Sequence, residues 1–430
     1  MKTLIQNVKL SEEYGFEEKA VNVGITDDKI SYVGTEPPTE KYDQIIDGKG
    51  NLLFSGFYNS HCHAAMTLFR GYGEDLPLDR WLNERIFPAE DRLTEHSVYT
   101  GTMLAIAEML AGGIVSFSDM YMFEDTIARA VMESGIKANL ARSIVSFDEN
   151  EDPKQSFRFL EGTQLAREYH LADNGRIRVD LSIHAEYTNT EKMCRAVAEY
   201  AKEHSLAIQM HISETEKEHE ECKMRRGGRT PISFVRDTGL LDSPFCAAHC
   251  VFVSDEDMEI MREKGVFVSH NPVSNLKLGS GVMPLAKMLS NGICVSLGTD
   301  GAASNNNLDI FKELKIAAVL HKGVSHKADA TDAHTICKLA TLGGAMAQGR
   351  VDCGKIEVGK KADLILIDTD SLHNIPSYRY ETTIAYSADS SDVIMTMVDG
   401  KILYQNGEYI TIDIEKLKYE ARDVIKHYFD

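Results

Sequence analysis

The chain has 430 residues, a length that allows roughly two to four ordinary domains or one large barrel with an appendage. Hydrophobic residues make up 43% of the chain and charged residues 26%, which excludes disorder, collagen or coiled coil as its main organisation. The formal net charge of −20 at pH 7 opposes contact with phosphate backbones, so no nucleic-acid partner is expected.

Neither a membrane span nor a disulfide framework is predicted. No apolar run approaches the ~18 residues that span a bilayer, and residues 1–10 predict a strand rather than a signal peptide. The eight cysteines are scattered, and no second cysteine pair completes a zinc ribbon with Cys246 and Cys250. We therefore expect a reducing, cytoplasmic location without a membrane partner. A homo-oligomer is compatible with the sequence, which does not define the oligomeric state.

The first 55 residues predict short strands and turns. Residues 20–25 are apolar and alternating, Asp27-Asp28 is a turn signal, and residues 29–33 return as the partner strand.

The middle of the chain has a different pattern, because eight short apolar runs alternate there with longer helical patterns such as residues 97–110 and 191–203. The runs are residues 52–57, 114–117, 138–140, 177–183, 207–210, 246–248, 266–268 and 293–297. This alternation predicts a parallel α/β fold, and eight strands favour a (β/α)₈ barrel of the TIM type. An open doubly wound sheet is the alternative, although no strand is followed by the G-x-G-x-x-G of a Rossmann fold.

The end of the chain resembles its beginning. Strands are predicted over residues 362–367, 393–398 and 401–404, the last two joined by an Asp399-Gly400 turn, and residues 415–429 predict a helix. We therefore predict a composite β-sandwich domain from residues 1–55 and 351–430, beside a barrel of residues 56–350.

Histidines and carboxylates recur where the predicted strands end. His61 and His63 follow the first strand, and residues i and i+2 of a strand point to the same face, so two imidazoles can bind one metal. His211, His249 and Asp300 follow the fifth, sixth and eighth strands. A barrel brings these ends to one face. Histidines with a carboxylate suit zinc or iron, so the sequence predicts a metal site.

The motifs around these residues resemble those of the amidohydrolase superfamily. The matching segments are Ile46-Asp47-Gly48-Lys49-Gly50, Ser55-Gly56-Phe57, His61-Cys62-His63 and Thr299-Asp300-Gly301. The resemblance is strongest to the methylthioadenosine and S-adenosylhomocysteine deaminase family. It lies in Phe69-Arg70-Gly71, residues 88–94, Ala248-His249-Cys250, residues 269–279 and residues 298–306. It covers nearly the whole chain, and its long motifs are more specific than His-x-His.

The resemblance implies one divalent metal held by His61, His63, His211 and Asp300, with zinc expected first and iron as the alternative. Two-metal members of the superfamily usually have a carboxylated lysine after strand four, whereas this strand ends at His184. A single metal is therefore expected.

The resemblance also implies catalytic roles. Asp300 would orient an activated water and accept its proton. His249 would contact this water and steady the developing tetrahedral centre. Glu214 would pass a proton to the ring nitrogen of the bound substrate before ammonia leaves.

Further positions are implied to contact substrate. Trp81 would help to wall the pocket, Glu90 would bind ribose hydroxyls, and His184 would contact the ribose. Arg142 matches an arginine that meets an amino-acid carboxylate, and Lys154 aligns with a second such arginine. Lysine keeps the charge but loses the planar fork, so amino-acid-tailed substrates are expected to bind less well.

The expected activity is hydrolytic deamination of 5′-modified adenosines to the inosine analogue and ammonia. Methylthioadenosine, S-adenosylhomocysteine, 5′-deoxyadenosine and adenosine are the expected nucleoside substrates. Deamination of another purine, pterin or pyrimidine base and hydrolysis of a triazine are alternatives with the same metal site. A non-catalytic scaffold is disfavoured, because every expected ligand is present.

Overall fold

The computed structural model describes residues 1–16 and 19–429. Its strands are β1 (Lys2–Val8), β2 (Val21–Thr26), β3 (Lys29–Gly34), β4 (Gln44–Asp47), β5 (Leu52–Ser55), β6 (Phe57–Cys62), β7 (Ile114–Tyr121), β8 (Lys137–Ile144), β9 (Ile177–Val179), β10 (Leu181–Ile183), β11 (Ile208–Ile212), β12 (Phe245–His249), β13 (Phe267–His270), β14 (Cys294–Leu297), β15 (Leu364–Ile367), β16 (Val393–Val398), β17 (Lys401–Gln405) and β18 (Glu408–Tyr409).

The helices alternate with the middle strands and also flank them. They are α1 (Leu78–Trp81), α2 (Phe87–Glu90), α3 (Glu95–Ala111), α4 (Glu124–Ser134), α5 (Phe157–Tyr169), α6 (Ala172–Gly175), α7 (Glu191–His204), α8 (Glu216–Arg225), α9 (Pro231–Asp237), α10 (Asp255–Lys264), α11 (Pro272–Lys277), α12 (Leu285–Ser290), α13 (Ala302–Asn305), α14 (Ile310–Ser325), α15 (Ala333–Lys338), α16 (Gly344–Ala347), α17 (Tyr380–Tyr386) and α18 (Ile414–Phe429). Within the described residues, no helix is long and apolar enough to cross a membrane.

Helix α7 illustrates why the middle helices form where their pattern predicts them. The hydroxyl of Thr190 caps the helix by accepting a hydrogen bond from the Met193 amide at 3.1 Å. Its apolar residues recur at helical spacing, so that one face of the helix is buried against the barrel. The buried residues of this face are Met193, Cys194, Val197, Ala198 and Ala201.

Parallel strands form the nearly closed barrel that the sequence predicts. Their order is β6-β7-β8-β10-β11-β12-β13-β14, which is the order of the chain, and β9 pairs with β8. The first and last strands meet where the Asp300 amide donates a hydrogen bond to the His61 carbonyl at 3.0 Å. We call this junction of β6 and β14 the seam. The fold thus confirms the TIM-type barrel rather than the open sheet.

The predicted first barrel strand, residues 52–57, is wrong in extent. The structure divides this run into β5, which pairs antiparallel with β15, and β6, which pairs parallel with β7. Gly56 lies between them, and a Cβ atom there would approach Val115 Cγ1 to 2.3 Å. The chain therefore leaves one sheet and enters the other at a point where only glycine fits. A continuous apolar run does not reveal such a change of sheet.

Both ends of the chain build the β-sandwich that the sequence predicts. One sheet has the order β3-β2-β1-β4, and the other has the order β18-β17-β16-β15-β5. A second hydrophobic core is shared by these sheets, separate from the larger core of the barrel. Its members include Ile5, Val23, Leu53, Leu364 and Met395.

A buried cluster of charges joins the barrel to the sandwich. The Lys137 ammonium on β8 contacts the carboxylate of Asp363 at 2.5 Å and that of Asp399 at 2.7 Å. The Tyr58 hydroxyl on β6 donates a hydrogen bond to the same Asp363 at 2.6 Å. We call Tyr58, Lys137, Asp363 and Asp399 the junction cluster. Because a buried charge is costly without a partner, this cluster couples the two parts of the fold.

Candidate active site

Four side chains from three strand ends converge at the mouth of the barrel. The Oδ1 atom of Asp300 lies 3.2 Å from His63 Nε2 and 3.7 Å from His61 Nε2. The Nε2 atoms of His63 and His211 lie 3.3 Å apart. Two ligands that each lie about 2.1 Å from a tetrahedral metal are about 3.4 Å from one another. The spacing of these atoms therefore matches a single tetrahedral metal site.

The chemistry of the histidines fits a metal as well. Burial and the charge of His63 lower the pKa of His61 well below its ordinary value, so this imidazole is neutral. Its Nε2 atom is buried and has no hydrogen-bond partner among the described residues. The Nδ1 atoms of His63 and His211 each lie 2.7 Å from a main-chain carbonyl oxygen. Donation from Nδ1–H directs Nε2 of each ring toward the site. Burial opposes the charge of His63, but the hydrogen bond and charge of Asp300 outweigh it and raise the pKa of His63 to about 9, so a metal would bind at Nε2 of this residue in exchange for a proton.

Asp300 follows β14 at a backbone φ of +59°, and polar neighbours hold its carboxylate. The Gly301 amide donates to Oδ1 at 2.8 Å, while the hydroxyls of Ser274 and Ser304 donate to Oδ2 at 2.6 and 2.9 Å. Burial opposes the charge of Asp300, but the hydrogen bond and charge of His63 outweigh it and hold the pKa of Asp300 well below its usual range. The side chain is thus an oriented carboxylate.

Glu214 follows β11 and places its carboxyl group beside the four donors. Its Oε1 atom accepts a hydrogen bond from the Ser280 hydroxyl at 3.1 Å, and its Oε2 atom lies 3.7 Å from His249 Nε2. Burial raises the pKa of Glu214, so the protonated form is favoured relative to an exposed glutamate. The group can therefore carry a proton at the site.

His249 ends β12 at a backbone φ of +74°, and the centroid of its ring lies 5.6 Å from that of His61 and 5.5 Å from that of His211. Its Nδ1 atom lies 2.8 Å from Asn275 Oδ1. An amide oxygen accepts a hydrogen bond, so Nδ1 carries the proton that it donates to Asn275, and Nε2 is on the side of the ring toward the cavity. Asn275 thus fixes the orientation of His249.

A cavity of about 560 Å³ opens above these groups. Trp81 and Glu90 line it from a helical run in which a π-turn, Leu82–Ile86, separates α1 from α2. Trp81 is buried and also packs against Gly73, where a Cβ atom would lie 2.9 Å from the indole. Burial raises the pKa of Glu90 to about 7. The structure thus brings both predicted substrate contacts to the cavity.

His184 and Arg142 reach the same cavity from the ends of β10 and β8. The Nδ1 atom of His184 lies 3.2 Å from the Thr188 hydroxyl, and burial followed by the charge of His63 lowers its pKa to about 4. Arg142 donates from Nε to Glu161 at 2.7 Å. His184 is therefore a neutral hydrogen-bonding group, and Arg142 is a cation that is already partly neutralised.

Lys154 does not line the cavity. It is exposed in the 3₁₀ turn Pro153–Gln155, and its place at the cavity is taken by Arg158 on α5. The sequence aligns Lys154 with the second cation across an acidic loop that carries no periodic signal, and Arg158, four residues further along, is the cation of this segment that lines the cavity. Phe147 and Tyr187, which also line the cavity, carried no signal in the sequence.

Comparisons with known proteins identify the family of this chain. The model of the amidohydrolase family matches residues 52–403. A 5-methylthioadenosine/S-adenosylhomocysteine deaminase of Dictyoglomus thermophilum is 47% identical over 396 residues, which cover 92% of this chain and 91% of that protein. A 5′-deoxyadenosine deaminase of Methanosarcina mazei is 42% identical over 404 residues, which cover 94% of this chain and 92% of that protein.

A solved structure shares the whole fold. The adenosine deaminase from Xanthomonas campestris, determined with bound zinc, superimposes with a TM-score of 0.91 at 31% sequence identity. The match covers 99% of this chain and 98% of that one.

Proposed function

Since the chain belongs to the amidohydrolase family, we propose that it is a metal-dependent hydrolytic deaminase of 5′-modified adenosines. The proposed substrates are methylthioadenosine, S-adenosylhomocysteine, 5′-deoxyadenosine and adenosine, and the products are the inosine analogue and ammonia. The observation that carries the proposal is a cavity of nucleoside size lined by three of the four metal-type donors, His63, His211 and Asp300, together with Glu214 and Glu90. The fourth donor, His61, lies beneath them with its Nε2 atom 3.7 Å from Asp300 Oδ1.

We assign His61, His63, His211 and Asp300 as the residues that hold one divalent metal. Zinc is the proposed ion and iron the alternative, because imidazole and carboxylate ligands suit both. A bound cation of this kind lowers the pKa of water toward neutrality and so supplies a nucleophile at physiological pH.

The protein's own groups then divide the proton transfers. Asp300, a carboxylate held by its hydroxyl donors, orients the attacking water and accepts its proton. Glu214, whose pKa is raised by burial, donates a proton to the purine ring nitrogen beside the reacting carbon. A carbon–oxygen bond forms, and the proton that Asp300 has accepted passes to the amino group. The carbon–nitrogen bond then breaks, the amino group leaves as ammonia, and the proton of the new hydroxyl returns to Glu214 as the carbonyl forms. His249 holds the attacking oxygen in place, because Asn275 fixes its ring.

Substrate recognition is assigned to the walls of the cavity. Glu90 accepts hydrogen bonds from the ribose hydroxyls, His184 contacts the same sugar, and Trp81 forms an apolar wall. Arg142 and Arg158 offer positive charge to a carboxylated 5′-substituent. With Arg158 at the cavity in place of Lys154, the argument that amino-acid-tailed substrates bind less well no longer applies.

A substrate panel with metal quantitation on the same preparation tests this function. Ammonia release is measured with methylthioadenosine, S-adenosylhomocysteine, 5′-deoxyadenosine, adenosine, guanine, cytosine and a triazine. We expect about one metal per chain and turnover of the nucleosides. Turnover of the free bases or the triazine alone would overturn the assignment of substrate class.

A further inference from the structure

Beyond the groups that touch substrate, we propose that Glu218 is a positioning residue that presents Glu214 to the reacting ring. The inference rests on the proposed function, in which Glu214 transfers the proton. It concerns a second buried carboxylate, which lies on α8 and carries out no chemistry itself.

The carboxylate of Glu218 bridges two consecutive amides of the turn that carries Glu214. Its Oε1 atom accepts from the Ser213 amide at 2.9 Å, and its Oε2 atom accepts from the Glu214 amide at 2.8 Å. Glu218 is only 6% exposed, so water does not compete strongly for these bonds. Both oxygens of one side chain are thus committed to the backbone of the turn.

This turn needs such support, because Ser213 has a φ of +48°, in the left-handed region that residues other than glycine seldom adopt. The strained residue links the metal ligand His211 to Glu214, so relaxation of the turn would redirect the Glu214 side chain. The other face of the turn is held by the Phe252 amide, which donates to the Ser213 carbonyl at 3.0 Å. The two anchors together define one conformation.

Helix capping does not explain the contact. The hydroxyl of Thr215 already caps α8 by accepting from the Glu218 amide at 3.1 Å. In an ordinary capping box, the glutamate would return to the amide of the cap residue itself. Glu218 instead reaches the two residues before the cap, which are the residues that orient the catalytic side chain.

Electrostatics also separate the roles of the two neighbouring acids. Burial, followed by the charge of Glu214, raises the pKa of Glu218 to about 7, while the two amide donors act in the opposite direction. The Glu214 carboxyl accepts from a single hydroxyl, that of Ser280. Both oxygens of Glu218 are occupied by amide donors, whereas Glu214 Oε2 lies 3.7 Å from His249 Nε2, so Glu214 is the acid of the pair that faces the reacting groups.

The test begins with Glu218→Gln in the full-length holoenzyme. A glutamine of the same shape turns an NH₂ group toward one of the two amides, so the turn must move. We expect kcat for the best nucleoside to fall at least 10-fold, with KM changed less than threefold and metal content unchanged. Glu218→Asp, which keeps the charge but shortens the reach, should give an intermediate kcat and serves if the glutamine variant does not fold.

Two matched controls separate positioning from helix stability. Glu220→Gln changes an exposed acid on the same helix and should leave kcat unchanged. Thr215→Ala removes the helix cap but not the bridge, and should lower Tm while kcat stays within twofold. An equal loss of kcat in Thr215→Ala would assign the effect to the helix and overturn the proposal.

A double-mutant comparison tests whether Glu218 acts through Glu214. In the Glu214→Gln background, the further change Glu218→Gln should reduce kcat less than twofold. Losses that multiply, or a loss of metal in Glu218→Gln, would overturn the proposal. Hydrogen exchange at the Ser213 and Glu214 amides should accelerate in Glu218→Gln and not in Glu220→Gln. Hydrogen exchange tests the contact of Glu218 with the two amides without any substrate. Failure of the proposed function can therefore be distinguished from failure of the proposed role of Glu218.

Discussion

Asp300 shows how uncharged neighbours prepare a charged group for its role. Two hydroxyls and one amide donate to its oxygens, and Oδ1 still lies 3.2 Å from His63 Nε2. Hydrogen bonds to a carboxylate favour its charged form. The same donors fix the direction of its lone pairs. The residue can therefore serve as a ligand and as the acceptor of a proton without changing its conformation.

Replacement of Glu214 by glutamine separates proton transfer from metal binding. The variant keeps the shape of the side chain but cannot donate a carboxylic proton, so kcat should fall by about 10²- to 10⁴-fold. Metal content should equal that of the unmodified protein, because Glu214 is outside the proposed ligand set. Steady-state ammonia release and metal analysis provide the two measurements. A variant that retains full turnover would remove Glu214 from the proposed mechanism.

Replacement of Glu90 by glutamine tests recognition of the sugar. Because burial raises the pKa of Glu90 to about 7, the assay is run above that pH, where the carboxylate is a charged acceptor. Loss of a charged hydrogen-bond acceptor costs about 1.5–3 kcal/mol, so kcat/KM for nucleosides should then fall roughly 10- to 100-fold. Any turnover of free adenine should change little, because the base has no ribose diol. Comparison of the two substrates in the same variant provides the measurement. Equal losses for nucleoside and base would place Glu90 at the ring rather than at the sugar.

At the residue scale, the sequence predicts the residues proposed to bind metal or react better than the residues that hold them in position. His61, His211 and Asp300 could be found because strand ends of a barrel meet at one face. Asn275 and Glu218 could not, because a polar residue in a loop or at a helix start has many ordinary explanations. Their importance depends on a contact with another segment, and that contact is not encoded by spacing.

At the scale of elements, close approach of backbones limits which residues fit. Gly344 begins α16 against β6, and a Cβ atom there would lie 2.3 Å from the Tyr58 carbonyl oxygen. Gly344→Ala should therefore force the helix away from the strand and lower the free energy of unfolding by about 1–3 kcal/mol. Thermal or denaturant unfolding measures this loss.

Gly323 is the matched control for this prediction. It is exposed on α14, and a Cβ atom there meets no heavy atom within 4 Å. Gly323→Ala should stabilise the protein by up to about 1 kcal/mol, because alanine favours a helix more than glycine does. If both variants were equally neutral, the packing of α16 on β6 would be looser than the structure indicates.

The predicted elements differ from the observed ones at the point where the chain leaves the sandwich sheet and enters the barrel. Residues 393–398 were predicted as a strand and form β16 with those bounds, because turn residues follow them. Residues 52–57 contain no such interruption except Gly56, and a single glycine in an apolar run does not identify a change of sheet. Short-range patterns therefore locate strands, while the partner of each strand depends on tertiary contacts.

At the scale of the whole molecule, the proposed metal ligands lie on both sides of the seam. His61 lies in β6 and His63 directly follows that strand, while Asp300 follows β14. A metal that binds them favours the closed barrel over any state in which the seam opens. We therefore expect metal removal by a chelator to lower the apparent Tm by roughly 5 °C. Calorimetry before and after re-addition of zinc checks this prediction.

His61→Asn is the control for metal removal. The variant should bind less metal and show an apparent Tm that no longer depends on the chelator. Unchanged metal content in this variant would contradict the proposed ligand set. A chelator effect of equal size in the variant would show that metal stabilises the protein elsewhere.

The fold as a whole was largely readable from the sequence, because alternating β and α patterns lead to few topologies. The junction cluster could not be predicted from the sequence. Lys137 follows Gly135 and Ile136, and a lysine in this position is typical of the exposed start of a strand. Its burial is a consequence of the sandwich that covers this end of β8. A lysine is expected at the surface unless it is paired, and the pairing of Lys137 is seen only when the barrel and the sandwich are packed together.

The position of β6 also affects how the protein emerges from the ribosome. Its partners come late in synthesis: Asn59 bonds to Thr299, 240 residues further on, and Tyr58 bonds to Asp363, 305 residues further on. During most of translation, the edge of β6 that later meets β14 at the seam therefore has no partner strand. Exposed strand edges recruit other chains, so we expect the nascent chain to be most prone to aggregation during this interval.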